Sequence, residues 1–313
     1  MLFDLALVAA GLVLLVIGGD LLVRGAVSLA LRLGIAPVIV GLTVVAFGTS
    51  APEMIVSLDA AWRGLPGIAL GNVVGSNIAN VLIILGATAL ISPVFTRGSG
   101  LLASFYYMIA ASALLIVLAM LGPMRAGHGL VLLAGLGIVL SLQIAQARRM
   151  EAPAATDLEG APKRPQPGWM IGALLAGGLV LLPVGARLLV DGAVDIARLA
   201  GLSEAVIGLT LVAVGTSLPE LAASVMSARR GESGMALGNI IGSNIFNILA
   251  IIGVTSFFGP LVIPEQMLRV DLWVMLGCAL LIGPFLLGGW RMGRRTGAGL
   301  LALYAAYAGW LLI

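Results

Sequence analysis

The chain has 313 residues, of which 60% are hydrophobic and only 10% are charged. Soluble domains carry roughly 25% charged residues, so this composition excludes an ordinary soluble protein. The net charge of +3 and the pI near 9.5 do not indicate nucleic-acid binding, because the basic residues lie in short connections between apolar runs, where membrane orientation explains them. The single cysteine, Cys278, excludes a disulfide framework and a cysteine metal cluster.

The apolar residues form runs of about 20 residues, the length that a helix needs to cross hydrocarbon. Runs of this length argue against a β-barrel, whose short strands alternate in polarity. We therefore predict an all-α, polytopic protein with ten transmembrane helices in the cell inner (plasma) membrane. The predicted spans are 3–31, 36–61, 67–91, 101–121, 127–146, 168–198, 203–228, 234–259, 270–288 and 296–313.

A single stretch resembles a soluble linker, residues 147–167, which hold seven charged residues and four prolines. It separates a first unit, 1–146, from a second unit, 168–313, each with five predicted helices. The two units are related in sequence at a constant offset of 167 residues. Residues 41–61 match 208–228 at 12 of 21 positions, and 69–86 match 236–253 at 12 of 18.

Each unit crosses the membrane an odd number of times, so the second unit enters from the opposite side. We therefore predict two inverted five-helix repeats, a plan common among secondary transporters. With the N-terminus outside, inner connections hold eleven basic residues and outer connections four, which places both termini outside and the linker in the cytoplasm. The inner residues are Arg32, Arg97, Arg148, Arg149, Lys163, Arg164, Arg229, Arg230, Arg291, Arg294 and Arg295, and the outer ones are Arg63, Arg125, Arg198 and Arg269.

The first helix of each unit carries a pair of opposite charges four residues apart. Asp20 and Arg24 correspond, at the offset of 167, to Arg187 and Asp191, with the signs exchanged. Residues at this spacing share a helix face, so each pair can neutralise itself. We interpret each pair as an ion pair that lowers the cost of placing charge on a long helix near the membrane interface. The alternative is a role in the sliding of these helices during transport.

The motif Gly-Thr-Ser-x-Pro-Glu occurs twice, at 48–53 and 215–220. Each copy places a carboxylate, Glu53 or Glu220, inside an apolar segment, where a charge costs about 2.5–3.5 kcal/mol even on the lenient insertion scale. The proline in each copy removes a backbone donor and frees a carbonyl, which is tolerated in lipid only where protein or an ion receives it. These costs indicate a functional site.

A second repeated motif, Gly-Asn-x-x-Gly-Ser-Asn-x-x-Asn, ends at Asn80 and at Asn247. Ser76 shares a helix face with Asn80, as Ser243 does with Asn247. Carboxylates, hydroxyls, amides and carbonyls suit a hard cation such as Ca²⁺, which takes about 6–8 oxygens, and equally Na⁺. Four further amides either bind the cation or brace neighbouring backbone: Asn72, Asn77, Asn239 and Asn244.

The paired motifs resemble the α-repeats of the cation/calcium exchanger superfamily, and the short linker resembles that of a prokaryotic sodium/calcium exchanger-type member. The resemblance implies alternating access, with Ca²⁺ and Na⁺ exchanged at Glu53 and Glu220 between the second, third, seventh and eighth helices, and no cofactor. It also implies a set of further ion ligands: Thr49, Ser50, Ser76, Asn80, Thr216, Ser217, Ser243 and Asn247, with the carbonyls of Ala46 and Ala213. Many sodium/calcium exchangers have aspartate at the place of Asn247, so stoichiometry and coupling ion stay open.

Three other functions compete with Ca²⁺/Na⁺ exchange. An antiporter coupled to H⁺ could use the same site, because a buried carboxylate can take up a proton. A serine hydrolase at Ser50 or Ser217 would need a base, and the only histidine, His128, lies in a connection, so we predict that the protein is not an enzyme. A channel would also need oxygens, but the inverted duplication favours a transporter with ions and the lipid bilayer as partners. The oligomeric state stays open.

Overall fold

The computed structural model describes residues 2–96, 100–147, 166–199 and 213–311. Within these ranges the regular structure is helical, apart from two isolated antiparallel bridges, Val94 with Met292 and Met124 with Leu261. The linker core and the start of the predicted span 203–228 lie outside the described residues.

Six helices precede the linker and six follow it in the described ranges. The first six are α1 Leu2–Leu33, α2 Pro37–Thr49, α3 Ala51–Trp62, α4 Pro66–Ile91, α5 Leu102–Met120 and α6 Ala126–Ala147. The second six are α7 Gly168–Leu199, α8 Ala213–Gly215, α9 Leu218–Arg229, α10 Ser233–Thr255, α11 Met267–Gly288 and α12 Arg294–Leu311.

Seven of the described helices are long and apolar enough to cross a membrane, and the count becomes eight if α2 and α3 form one span. These two helices meet at an angle of 42°, so the predicted span 36–61 is a broken helix rather than a continuous one. The predicted span 234–259 is also too long, since α10 ends at Thr255 and turns follow it. The total of ten helices stays a prediction.

The outer surface of the bundle is apolar. Leu12, Val13 and Val16 of α1 are about half exposed, as are Leu130 and Ile138 of α6. A continuous apolar exterior of this kind marks a surface that faces lipid rather than water. The long helices therefore present their side chains to the membrane, while the polar groups lie in the interior.

Helices α1 and α7 pack against each other in opposite directions through glycines. A Cβ atom at Gly11 would lie 2.6 Å from the carbonyl oxygen of Gly185, and one at Gly178 would lie 2.7 Å from the backbone nitrogen of Leu22. Gly11 and Gly178 are themselves 167 residues apart. Small residues allow two membrane helices to approach closely, so this pair forms one closely packed unit beside the core.

The most deeply buried helix is α10, and it crosses α2 at another glycine contact. A Cβ atom at Gly41 of α2 would lie 2.8 Å from the carbonyl oxygen of Met235 in α10. Helix α10 also contacts α4, α5 and α9. The helices that carry the predicted site motifs therefore pack around α10 or around a helix that contacts α10. The polar side chains of the motifs are thereby gathered at the centre of the bundle.

Candidate functional site

The two Gly-Thr-Ser-x-Pro-Glu motifs each end one helix and begin another. The backbone turns at Ser50, with φ −82° and ψ 7°, and at Ser217, with φ −91° and ψ 6°. The proline of each motif lies at the start of the following helix, where its missing N–H costs no hydrogen bond. Glu53 and Glu220 consequently occupy the first turns of α3 and α9, where the helix dipole favours a negative charge.

Crossed hydrogen bonds connect the two motif copies. The hydroxyl of Ser50 donates to Oε1 of Glu220 at 3.0 Å, and the hydroxyl of Ser217 donates to Oε1 of Glu53 at 3.1 Å. Both carboxylates are only 1% exposed. Residues that are more than 160 positions apart in the sequence therefore form one buried centre, in which each half holds the carboxylate of the other.

Two asparagines brace the backbone at the carboxylates rather than offering their oxygens there. The amide of Asn72 donates to the carbonyl oxygen of Glu53 at 3.0 Å, and that of Asn239 donates to the carbonyl oxygen of Glu220 at 3.3 Å. The side-chain oxygen of Asn239 also accepts a hydrogen bond from Thr49 at 3.3 Å. The bracing interpretation of these two amides is therefore the one that the geometry favours.

The second motif joins α4 to α10. Asn80 donates its amide to Oδ1 of Asn244 at 2.9 Å, and Asn247 donates its amide to Oδ1 of Asn77 at 3.0 Å. A π-helical turn begins at each donor, over Asn80–Ile84 in α4 and over Asn247–Ile252 in α10. Such turns are frequent at functional sites, and here both copies begin at the residue that the sequence identified.

Five buried oxygens of the predicted site have no hydrogen-bond partner in the described part of the chain. They are Oε2 of Glu53, Oε2 of Glu220, Oδ1 of Asn80, Oδ1 of Asn247 and Oγ of Ser243. An ionised carboxylate and an amide oxygen only accept, and a buried acceptor without a partner costs roughly 1–3 kcal/mol. The chemistry of these oxygens fits a cation.

The other predicted ligands lie close in sequence to these atoms. Ser76 is buried in α4, and the carbonyl of Ala46 accepts the backbone N–H of Ser50 at 3.1 Å. Thr216 lies in the break after α8, and Ala213 begins α8. Among the described residues no group of three or more His, Cys, Asp and Glu side chains forms a metal cluster, which leaves a site of oxygens from hydroxyls, amides and two carboxylates.

Sequence reasoning missed two pairs of residues around the site. Met108 and Met275 accept amide hydrogen bonds from Asn244 and Asn77, with N to S distances of 3.5 Å and 3.6 Å. Ser57 and Ser224 accept from the amides of Asn72 and Asn239 at 2.9 Å and 3.0 Å. Both pairs are separated by 167 residues, so the repeat offset was the signal that could have found them.

The charge pairs of α1 and α7 form as predicted, with one addition. Arg24 lies 3.7 Å from Asp20, and Arg187 lies 3.7 Å from Asp191. Asp20 also accepts from Nε of Arg230, at the end of α9, at 2.8 Å. The pair on α1 therefore reaches another helix.

Fold and site together define a helical membrane protein with a buried, oxygen-rich centre shared by two related halves. A sequence profile of the family described as sodium/calcium exchanger protein matches residues 3–145 and 170–313. The chain belongs to this family, whose named relatives are transporters rather than enzymes.

Individual relatives agree with this assignment. The chain is 35% identical over 332 residues to the sodium/calcium exchanger MaX1 of Methanosarcina acetivorans, with 95% of each chain covered. It is 36% identical over 316 residues to inner membrane protein YrbG of Escherichia coli (strain K12), covering 99% of this chain and 96% of YrbG. The solved structure of the sodium/calcium exchanger from Methanococcus jannaschii matches with a TM-score of 0.82 and 33% identity, covering 98% of both chains.

Proposed function

We propose that the protein is a secondary active antiporter that exchanges Ca²⁺ for Na⁺ by alternating access, with the transported ion held between Glu53 and Glu220. The observation that carries the proposal is the crossed carboxylate pair, in which each carboxylate keeps one buried oxygen without a partner in the described residues. Two carboxylates balance the charge of one Ca²⁺ or of two Na⁺. The name of the relative MaX1 supports the same ions.

The proposed ligands are the oxygens of both repeated motifs. The unpartnered amide oxygens of Asn80 and Asn247 support this set, because Ca²⁺ prefers carboxylate, carbonyl and amide oxygens. The full set is Glu53, Glu220, Thr49, Ser50, Thr216, Ser217, Ser76, Ser243, Asn80 and Asn247, with the carbonyls of Ala46 and Ala213.

We infer the ten-helix plan from the same symmetry. Units 1–146 and 168–313 form inverted five-helix repeats on either side of the linker 147–167. Hydrogen bonds that recur at the offset of 167 support it, as between Asn72 with Glu53 and Asn239 with Glu220. Alternating access then needs the two halves to rearrange about the shared site.

The inferred orientation has both termini outside and the linker in the cytoplasm. The distribution of basic residues supports it, since positive charge favours the cytoplasmic side. The relative named inner membrane protein YrbG supports a location in the cell inner (plasma) membrane.

Proton-coupled exchange of Ca²⁺ at the same site is the alternative. The unpartnered carboxylate oxygens favour it, because each can take a proton as well as a cation. The neutral Asn247 also leaves a third monovalent cation without a local negative charge. Na⁺ and H⁺ are therefore the two coupling ions to compare.

Calcium binding to the purified protein tests the site. Ca²⁺ titrations of the wild type should show saturable binding that Na⁺ displaces, and Glu53→Gln or Glu220→Gln should abolish it. Glu265→Gln is the matched control, because Glu265 is exposed and paired with Arg269 at the surface. Normal Ca²⁺ binding in both site variants would show that neither carboxylate binds the ion.

A further inference from the structure

The amides of Asn80 and Asn247 have a defined orientation. Each uses its nitrogen to donate across the interface between the halves, to Asn244 and to Asn77 respectively. Because the nitrogen is engaged, the oxygen of the same amide faces the other way, and it is buried without a partner in the described residues. Rotating either amide would exchange the two ends and place a donor where the acceptor is.

Asn77 and Asn244 have fixed orientations as well. The nitrogen of Asn77 donates to the backbone oxygen of Asn244 at 3.3 Å and to the sulfur of Met275 at 3.6 Å. The nitrogen of Asn244 donates to the sulfur of Met108 at 3.5 Å. A thioether sulfur and a carbonyl oxygen only accept, so the nitrogen of each asparagine is turned to these groups. The oxygen of each is thereby turned to the amide of the opposite half.

We propose that Asn77 and Asn244 are positioning residues that hold the oxygens of Asn247 and Asn80 toward the transported cation. The proposal rests on the proposed function, because it assumes that the cation binds at these oxygens. The positioning acts across the two halves. Asn77, in the first half, positions Asn247 of the second half, and Asn244, in the second half, positions Asn80 of the first. The side-chain oxygen of each positioning residue accepts a hydrogen bond from the opposite half, and neither residue belongs to the proposed ligand set.

This arrangement specifies an amide rather than a carboxylate at residue 247. Asn77 presents an oxygen to that position, and an aspartate there would place two acceptors opposite each other. To donate to an aspartate, Asn77 would have to rotate and give up its bonds to Asn244 and Met275. The neutral Asn247 thus belongs with Asn77 as a matched pair.

A double-mutant cycle on Ca²⁺ binding tests the proposal with the purified full-length protein. Asn77→Leu should weaken Ca²⁺ binding by about 10-fold or more, the effect typical of groups that orient metal ligands. In the Asn247→Ala background the same change should have no further effect, because the amide that it orients is gone. In the Asn80→Ala background the two losses should multiply. Asn244→Leu should show the reverse pattern.

Controls separate positioning from a general structural effect. Ser112→Ala removes a buried hydroxyl that donates to the backbone carbonyl oxygen of Met108, one turn earlier in the same helix, at 2.9 Å, and it should leave Ca²⁺ binding unchanged. Asn77→Ala replaces Asn77→Leu if leucine prevents folding, and thermal unfolding reports the integrity of each variant. Unchanged Ca²⁺ binding in a folded Asn77 variant, or a loss of equal size with and without Asn247, would overturn the proposal. Glu53→Gln in the same titration separates failure of the site itself from failure of the positioning.

Discussion

At the scale of single residues, Glu53 and Glu220 are distinguished by what each oxygen contacts. One oxygen accepts from a serine of the other half, and the second has no partner among the described residues. The serines thus help to fix the orientation of each carboxylate across the interface between the halves. A buried carboxylate oxygen without a hydrogen-bond partner is suited to a ligand that binds reversibly.

The serine contacts lead to a prediction about symmetry. Ser50→Ala and Ser217→Ala each remove one hydrogen bond to a carboxylate, a contribution of about 1.5–3 kcal/mol. Each change should therefore weaken Ca²⁺ binding by roughly 10-fold or more, and the two effects should be of similar size. Ca²⁺ titration of the two variants measures this. A loss in one variant alone would show that the halves hold the ion unequally.

Glu232 leads to a prediction about pH, because it lies in the connection between α9 and α10. Burial raises the pKa of this carboxyl from 4.5 to about 6. The folded state therefore holds the proton more tightly than the unfolded state, and this contribution to stability is present below pH 4.5 and is lost between pH 4.5 and about 6.

Glu232→Gln should remove that decline and leave the remaining pH dependence in place. The unfolding temperature in detergent between pH 4 and pH 8, wild type against variant, measures the difference. Glu265→Gln, at the exposed surface, should keep the wild-type profile. A decline of the same size in Glu232→Gln would show that another group causes it.

At the scale of helices, the glycine contacts set the distance between α1 and α7. Gly11→Leu would drive a side chain into the backbone of Gly185, which lies 2.6 Å from the position of the added Cβ. We expect a loss of about 1–3 kcal/mol in stability, the usual cost of overpacking. Gly172→Leu on α7 is the control, since no described atom beyond the neighbouring backbone of its own helix lies within 4 Å of its Cβ position. Equal unfolding temperatures for both variants would contradict the close packing of α1 against α7 at Gly11.

The helices themselves were largely predictable, because apolar runs bounded by charge or by glycine and proline mark where a helix meets water. The predicted span 168–198 differs from α7 by a single residue at its end. The break at Ser50 was signalled only in part: Gly48 and Pro52 weaken a helix, but whether it kinks or ends depends on what receives the freed backbone groups. In this chain one helix ends and another begins.

The contacts of the site were less predictable, since the offset of 167 says which residues are equivalent and not which residues touch. It pairs Glu53 with Glu220 and Asn77 with Asn244, but it does not show that Ser50 contacts Glu220. It also does not separate an asparagine that braces backbone, such as Asn72, from one that offers its oxygen. These distinctions depend on how α3 and the break at Ser50 approach α4 and α9, which the sequence does not encode locally.

At the scale of the whole molecule, the two halves share one buried centre, to which each half contributes a carboxylate and a serine. Each carboxylate depends on the serine of the other half, and each amide at Asn80 and Asn247 depends on an asparagine of the other half. A movement of one half against the other therefore changes the site directly. This coupling between site and architecture is what alternating access requires.

The most direct test of the exchange is ⁴⁵Ca²⁺ uptake into vesicles that contain the purified protein, driven by an outward Na⁺ gradient with the pH clamped. We expect uptake by the wild type that needs the Na⁺ gradient and is absent in Glu220→Gln. Uptake that does not depend on Na⁺ but is driven by an outward proton gradient would show that the protein exchanges Ca²⁺ for H⁺. Ca²⁺ uptake by Glu220→Gln at the wild-type rate would contradict a role for this carboxylate in ion transport.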